Sequence, residues 1–283
     1  MTPEGEHPEQ RKICWMPISE MLISSRTNTR VKQLRAAFDG NARLSGGLVA
    51  IEGDHLLAEA VRSSIVLKAV FVSERRAVPD IVPRETEVLR LAGDVFQSAV
   101  ETQSPQGIAA LIAPPVYALE DALVGTPLIL IATGLQDPGN MGTLVRSAEA
   151  FGATGVLTPP GTVSAWNQKA LRASVGSVFR VPVVAVTVDD MAELKKRGVR
   201  LLAAVGAADS ETKPAQDVDF RLACAVMIGN EGAGLGTEWL RMADERVTVP
   251  CPGPVESLNA AVAGSLLLYE ASQQRAAKRG PGA

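Results

Sequence analysis

Two histidines, His7 and His55, and three cysteines, Cys14, Cys224 and Cys251, are all that 283 residues supply of imidazole and thiol groups, too few for a His-rich metal site. No C-x-x-C pair occurs, so neither a zinc ribbon nor a disulfide framework is expected. Chemistry must come from other groups, and three segments hold them. The first, residues 135–152 (LQDPGNMGTLVRSAEAFG), carries Asn140 and Arg146 behind a Pro-Gly turn. The second, 227–235 (MIGNEGAGL), sets Glu231 in a glycine-rich turn. The third, 247–264 (VTVPCPGPVESLNAAVAG), sets Ser257 and Asn259 after a proline-rich loop. Glycines allow close backbone approach to a ligand, which raises a dinucleotide fold. The spacing excludes it: after Gly232 and Gly234 the third glycine would be residue 237, which is Thr237. No G-x-x-x-x-G-K-[ST] occurs either.

Each of these residues also has a plain structural reading. Asn140 serves as a helix N-cap and Arg146 pairs with Glu149 at i+3. Glu231 meets a helix dipole, and Ser257 caps the last helix. Asn259 is harder to place, being a poor residue for a helix interior. The run Ala260, Ala261, Ala263, Gly264, Ser265 suits close packing, either in the core or against another subunit.

The elements that must position these groups alternate along the chain. Residues 127–133 read as an apolar strand, Asn140–Phe151 as a helix stopped at Gly152, and Val156–Thr158 and Val181–Val186 as strands. A helix over Met191–Arg197 follows, then strands over Leu201–Val205, Cys224–Ile228 and Arg246–Val249, and a long helix over Ser257–Gln274. Met141, Leu144, Val145, Ala148 and Phe151 form a buried stripe that leaves Arg146 outside it. Alternating helices and continuously apolar strands predict a parallel sheet covered on both faces, with ligands beyond the carboxyl ends of its strands. Upstream, a helix over Thr29–Phe38 capped by Asn28, strands at Leu48–Glu52 and Leu67–Val72, a helix at His55–Ser63 and an apolar run Gly107–Ile112 describe a small α/β unit. Pro114–Pro115 mark its boundary.

In this order and detail the segments resemble the SpoU/TrmH family of the SPOUT superfamily, the AdoMet-dependent RNA ribose 2′-O-methyltransferases. Its three motifs are matched by NMGTLVRSAEAFG, IGNEGAGL and VPCPGPVESLNAAVA, and the link SVGSVFRVPV is similar too. ISSRTNTRVKQL, VAIEGDHLLAEAV and SPQGIAALI resemble the L30e-like substrate-binding domain that precedes the catalytic domain in many members. The resemblance implies an α/β, parallel-sheet SPOUT domain closed by a C-terminal trefoil knot, with S-adenosyl-L-methionine held through the backbone at Gly229, Val249 and Leu258. It implies catalytic roles for Arg146, Asn140, Glu231, Ser257 and Asn259, and a homodimer needing no metal. The family gives Arg146 the part of base. A guanidinium is always protonated, so binding the target phosphate and orienting the hydroxyl suits it better. Family members often carry Met at the place of Cys251 and Val at that of Ala260, both replacements that keep the site apolar.

The predicted layout is a disordered extension over 1–17, an L30e-like RNA-binding domain over 18–113, a linker over 114–126, the SPOUT domain over 127–277 and a tail over 278–283. The net charge of −3 and an aromatic content of 4% argue against base stacking and bulk electrostatic grip. Charge is nonetheless uneven. Arg11–Arg43 sums to +5 and residues 140–180 to +3, whereas 181–250 sums to −3. Arg26, Arg30, Lys32 and Arg35 are therefore expected to contact RNA phosphates, ribosomal RNA being favoured over tRNA because a separate recognition domain is present. A non-catalytic RNA-binding protein is the alternative, against which the intact polar set argues. No apolar run reaches the ~18 residues of a membrane span, the N-terminus lacks the apolar core of a signal peptide, and the expected location is cytoplasmic.

Overall fold

The computed structural model describes residues 22–206, 211–254 and 257–279. The expected extension over 1–17, with Cys14, Arg11 and Lys12, lies outside these residues, as do the last four of the expected tail.

The first unit contains β1 (Leu22–Ile23), α1 (Thr29–Phe38), α2 (Ala42–Ser45), β2 (Val49–Glu52), α3 (Asp54–Arg62), β3 (Leu67–Ser73), β4 (Val88–Leu91), α4 (Gly93–Ala99) and β5 (Ile108–Ile112). Asn28 caps α1 as expected, its side chain accepting from the Arg30 amide. The strands form a mixed sheet in the order β1-β4-β3-β5-β2, with β5 antiparallel to both neighbours. Helices α1 and α4 cover one face through Val31, Leu34, Phe38, Val95 and Phe96.

The second unit contains β6 (Leu128–Ala132), α5 (Pro138–Ala150), β7 (Gly155–Thr158), α6 (Gln168–Ser174), β8 (Val183–Ala185), α7 (Asp189–Lys196), β9 (Arg200–Ala204), β10 (Thr212–Pro214), β11 (Cys224–Ile228), α8 (Thr237–Met242), β12 (Glu245–Thr248) and α9 (Ala260–Arg279). Its seven strands are all parallel, in the order β10-β12-β9-β11-β6-β7-β8, which fulfils the expected α/β class. The pleat divides the core. Leu128, Leu130 and Ala132 of β6, with Cys224, Val226 and Ile228 of β11, face the layer of α5, α6 and α9. Ile129, Ile131, Ala225 and Met227 face the layer containing Met191 and Leu194 of α7. Alternate residues of a strand point to opposite faces, so a central strand buried on both sides must be apolar throughout.

Two helix caps differ from expectation. Helix α5 begins at Pro138 and is capped by Asp137, whose carboxylate accepts from the Gly139 amide. Proline suits the first helical position, where its missing N–H costs nothing. Asn140 is thereby released from capping. Helix α9 begins at Ala260, and its first turn is capped by Asn259, not Ser257: the Asn259 side-chain oxygen accepts from the amides of Ala261 (2.9 Å) and Val262 (3.2 Å). The small residues of α9 serve the core. A Cβ on Gly264 would come within 2.6 Å of Leu144 and 3.2 Å of Ile228.

The two units share one apolar core, in which Leu56, Leu57 and Ala60 of α3 join Leu171, Val178 and Phe179 of the second unit. The free edge of β2 is closed from outside its own sheet, where the buried Gln168 side chain donates to the Ala50 carbonyl at 2.8 Å.

Candidate functional site

The loops after β6 and β11 lie side by side because those strands are neighbours. Glu231 joins them. Its Oε2 accepts from the Gln136 amide (3.3 Å), and its Oε1 from the Asp137 amide (3.2 Å) and from Asn140 Nδ2 (2.9 Å). Asn140 Oδ1 in turn accepts from Asn259 Nδ2 at 3.1 Å. One chain of hydrogen bonds thus joins all three predicted segments. It requires the observed caps: Asn259 uses its oxygen on α9 and its nitrogen on Asn140, and Asn140 is free because Asp137 caps α5.

Burial pulls the Glu231 carboxyl upward, but the bonds from Asn140 and the amides of Asp137 and Gln136 outweigh it and hold its pKa below the ordinary value of 4.5. Its contribution to stability is therefore complete above 4.5 and is lost as pH falls through the lower folded value. Glu231→Gln offers one acceptor oxygen where three donors converge. It is expected to lower stability by about 1 kcal/mol at neutral pH, the exposure of the carboxylate keeping the effect small. Urea denaturation should show this deficit constant from about pH 6 to 8 and shrinking below about pH 4.5; a deficit unchanged in acid would mean that the charge is not what matters.

The turn after β11 is closed by its own backbone. Asn230 and Gly234 exchange amide–carbonyl bonds of 3.0 and 2.9 Å, and a Cβ on Gly229 would lie 2.2 Å from the Gly234 carbonyl carbon. Asn230 finishes the turn, its oxygen accepting from the amides of Gly232 and Ala233 and its Nδ2 donating to the Gly134 carbonyl. Sequence reasoning missed this residue, although an Asn beside a glycine-rich turn is a usual turn former.

Beyond the carboxyl ends of β9, β11 and β12 lies a cavity of about 420 Å³. Its wall is built from residues 204–206, 228–235 and 247–249, from Cys251, Ser257 and Leu258, and from Ala260, Ala263 and Leu267 of α9. Gly229, Val249 and Leu258, the three predicted backbone contacts, all line it, as do Glu231 and Ser257. Arg146 does not. It stands exposed on α5 with no hydrogen-bond or ion-pair partner among the described residues. Glu149, its expected partner, is held by Arg180 instead. On the loop before α5, Asp137 pairs with Lys169 at 2.9 Å, and Lys169 with the Gly139 amide holds that carboxyl below its usual range.

The four predicted RNA-contacting residues are placed differently from one another. Arg26 pairs with Asp94 at 3.0 Å, Arg30 with Glu87, and Arg35 donates to the carbonyl and hydroxyl of Ser98. Only Lys32 of the four lacks a partner among the described residues and is exposed. The local charge of the first helix is thus partly neutralised by acids far along the chain.

Residues 127–269 match the model of the SpoU rRNA Methylase family, and residues 28–110 that of an MRM3-like substrate binding domain. The chain belongs to the SpoU rRNA methylase family. Among its relatives is the 23S rRNA (guanosine(2553)-2'-O)-methyltransferase RlmP of Bacillus subtilis, 35% identical over 87% of this chain and 97% of the relative. The SpoU methyltransferase AviRb from Streptomyces viridochromogenes, solved with AdoMet, matches at a TM-score of 0.78 and 28% identity over 88% of this chain and 98% of its own. An RNA 2'-O ribose methyltransferase structure matches at 0.75 and 31% identity, over 90% of this chain and all of the other.

Proposed function

We propose that this chain transfers a methyl group from S-adenosyl-L-methionine to a ribose 2′-hydroxyl of ribosomal RNA. The cavity beyond β9, β11 and β12 carries the reading, because the second and third motif segments wall it and Glu231 of that wall bonds the first. Its size is within the range of small-molecule sites, roughly 300–1,000 Å³. Its wall suits the cofactor seen in AviRb: apolar α9 residues offer a surface for a base, and the backbone of the glycine-rich turn offers amides and carbonyls. Bound there, AdoMet supplies a methyl group already activated by its sulfonium.

The protein's own task is then to align the hydroxyl and stabilise the departure of its proton, for which positioning alone lowers a barrier substantially. Arg146 is assigned the target phosphate and the orientation of the hydroxyl. Its guanidinium stays charged, so the proton leaves to a neighbouring group or a phosphate oxygen. The bonded set Asn140, Glu231 and Asn259 holds α5 against the cavity, and Ser257 and Leu258 close its wall.

The remaining features of the proposal have separate support. A recognition domain over 18–113 and a catalytic domain over 127–277 suit the two matched family models. A trefoil knot in the C-terminal segment is consistent with α9 packing back on α5, where Ser147 and Ser265 hydroxyls meet at 2.7 Å. A homodimer is supported by the apolar stripe Val262, Leu266 and Tyr269 on α9, each more than 40% exposed, at the i, i+4, i+7 spacing of one helix face. Leu266→Glu should therefore convert a dimer to monomers in sedimentation equilibrium; an unchanged mass places the interface elsewhere. Among the described residues no helix is long and apolar enough to cross a membrane, and the assigned location is cytoplasmic.

Mapping 2′-O-methyl groups in total RNA from a deletion strain tests the function. A missing ribosomal RNA mark, restored by the gene, supports it. A missing tRNA mark would transfer the assignment to tRNA. No missing mark, with no AdoMet binding by calorimetry, would favour a non-catalytic RNA-binding protein.

A further inference from the structure

The proposed reaction needs the recognition domain held at a fixed angle to the helix that carries Arg146. Arg180, from the segment that follows α6, occupies the junction. Its Nε and Nη2 donate to both oxygens of Glu149 on α5, the second at 3.0 Å. Its Nη1 donates to Glu59 Oε2 on α3 at 2.7 Å and to Ser63 Oγ, just past α3, at 3.0 Å. One planar group therefore ties the first domain to the catalytic helix. Glu149 lies one turn beyond Arg146.

The surroundings are built to bring these groups together. Gly176 has φ +87°, and a Cβ there would lie 2.7 Å from the Glu59 Cβ, so only glycine lets the segment approach α3. The residue before it, Val175, adopts φ +52°, a conformation that β-branched side chains rarely take. Such outliers persist only where the surroundings over-determine them. Around Glu59 stand two cations, Arg180 and Arg62, the latter at 2.8 Å. Around Glu149 stand Arg180 and Ser177. Both carboxyls lie below their usual range, the hydrogen bond from Arg180 being the largest cause in each case. A fork with donors on two edges can serve two carboxylates at once, which a lysine cannot do with the same geometry.

We infer that Arg180 is a positioning residue: it locks the RNA-recognition domain to α5 and so sets where the target ribose meets Arg146. Arg180 is one of the four basic residues behind the charge of +3 over 140–180, yet its donors are spent inside the protein. The kinetic part of this inference rests on the methyltransferase reading, and the structural part does not.

The test uses the full chain with Arg180→Ala, Arg180→Lys and Arg62→Ala. In Arg180→Ala, KM for RNA is expected to rise about tenfold while AdoMet affinity stays within about twofold, a misplacement effect and not a loss of the cofactor site. Arg180→Lys should lie between, and Arg62→Ala close to wild type. Hydrogen exchange should quicken in α3 and at the C-terminal end of α5 while β6 and β11 keep their protection. Unchanged KM with unchanged exchange overturns the inference. So does a uniform loss of protection with weakened AdoMet binding, which would make Arg180 a general stability residue. If wild type methylates no RNA, the functional reading fails, and the exchange pattern alone decides the lock.

Discussion

Arg146→Ala is expected to abolish methyl transfer to RNA, with turnover falling by at least ~10²–10³-fold, the size of effect seen when one preorganised donor is removed from a reacting centre. AdoMet binding should survive. The reason is positional: Arg146 is exposed on α5, lies outside the cavity wall, and bonds to nothing among the described residues. Truncating it breaks no interaction of the fold, so stability should move by less than ~0.5 kcal/mol. Single-turnover methylation with labelled AdoMet, beside calorimetry and thermal unfolding, measures all three quantities. Arg146→Lys should recover little, because an ammonium lacks the planar pair of donors that fits a phosphate. Near-wild-type turnover in the alanine variant would remove Arg146 from the mechanism.

Gly229→Ala should give the reverse pattern. Its new Cβ would lie 2.2 Å from the Gly234 carbonyl carbon and 2.4 Å from the Leu235 amide nitrogen. Both are backbone atoms of the turn that walls the cavity, and neither can swing away as a side-chain tip would. The reciprocal bonds between Asn230 and Gly234 must then open. Loss of about 1–3 kcal/mol of stability is expected, as for overpacking of a well-filled site, with AdoMet affinity falling by ~10²-fold or more and turnover falling as a consequence. Calorimetry and urea denaturation decide it. Wild-type affinity would show that the turn can widen without reshaping the cavity, and would detach the glycine motif from cofactor binding. Together the two variants separate the groups proposed to hold the cofactor from the group proposed to meet the RNA.

Some of this arrangement is legible in the order of residues alone. The strand at Cys224–Ile228 falls where the apolar run predicts, and Asn28 caps α1, because both depend on neighbours within a few residues. The pairing of cations is not legible in that way. Spacing pairs Arg146 with Glu149 at i+3, yet Glu149 binds Arg180, 31 residues away, and the same arginine reaches Glu59 across 121 residues. The basic charge counted around the first helix is likewise met by acids distant in sequence, Asp94 for Arg26 and Glu87 for Arg30, 68 and 57 residues away. The caps differ from expectation for a subtler reason. Asp137 and Asn140, or Ser257 and Asn259, are comparable caps by residue type, and the choice between them turns on which side chain is needed elsewhere.

The amino-acid sequence by itself determined the alternation of elements, the three motif segments, and the family to which they belong. These are properties of residue order, written in periodicity, glycine and proline positions and motif spacing. The tertiary structure alone decided that Glu231, Asn140 and Asn259 form one bonded chain, that Arg146 is left free of it, and that Arg180 is consumed at the domain junction. Hydrogen bonds and ion pairs depend on distances of about 3 Å through space. Only the packing of a parallel sheet, which sets residues 91 and 119 positions apart side by side, brings such groups within that reach.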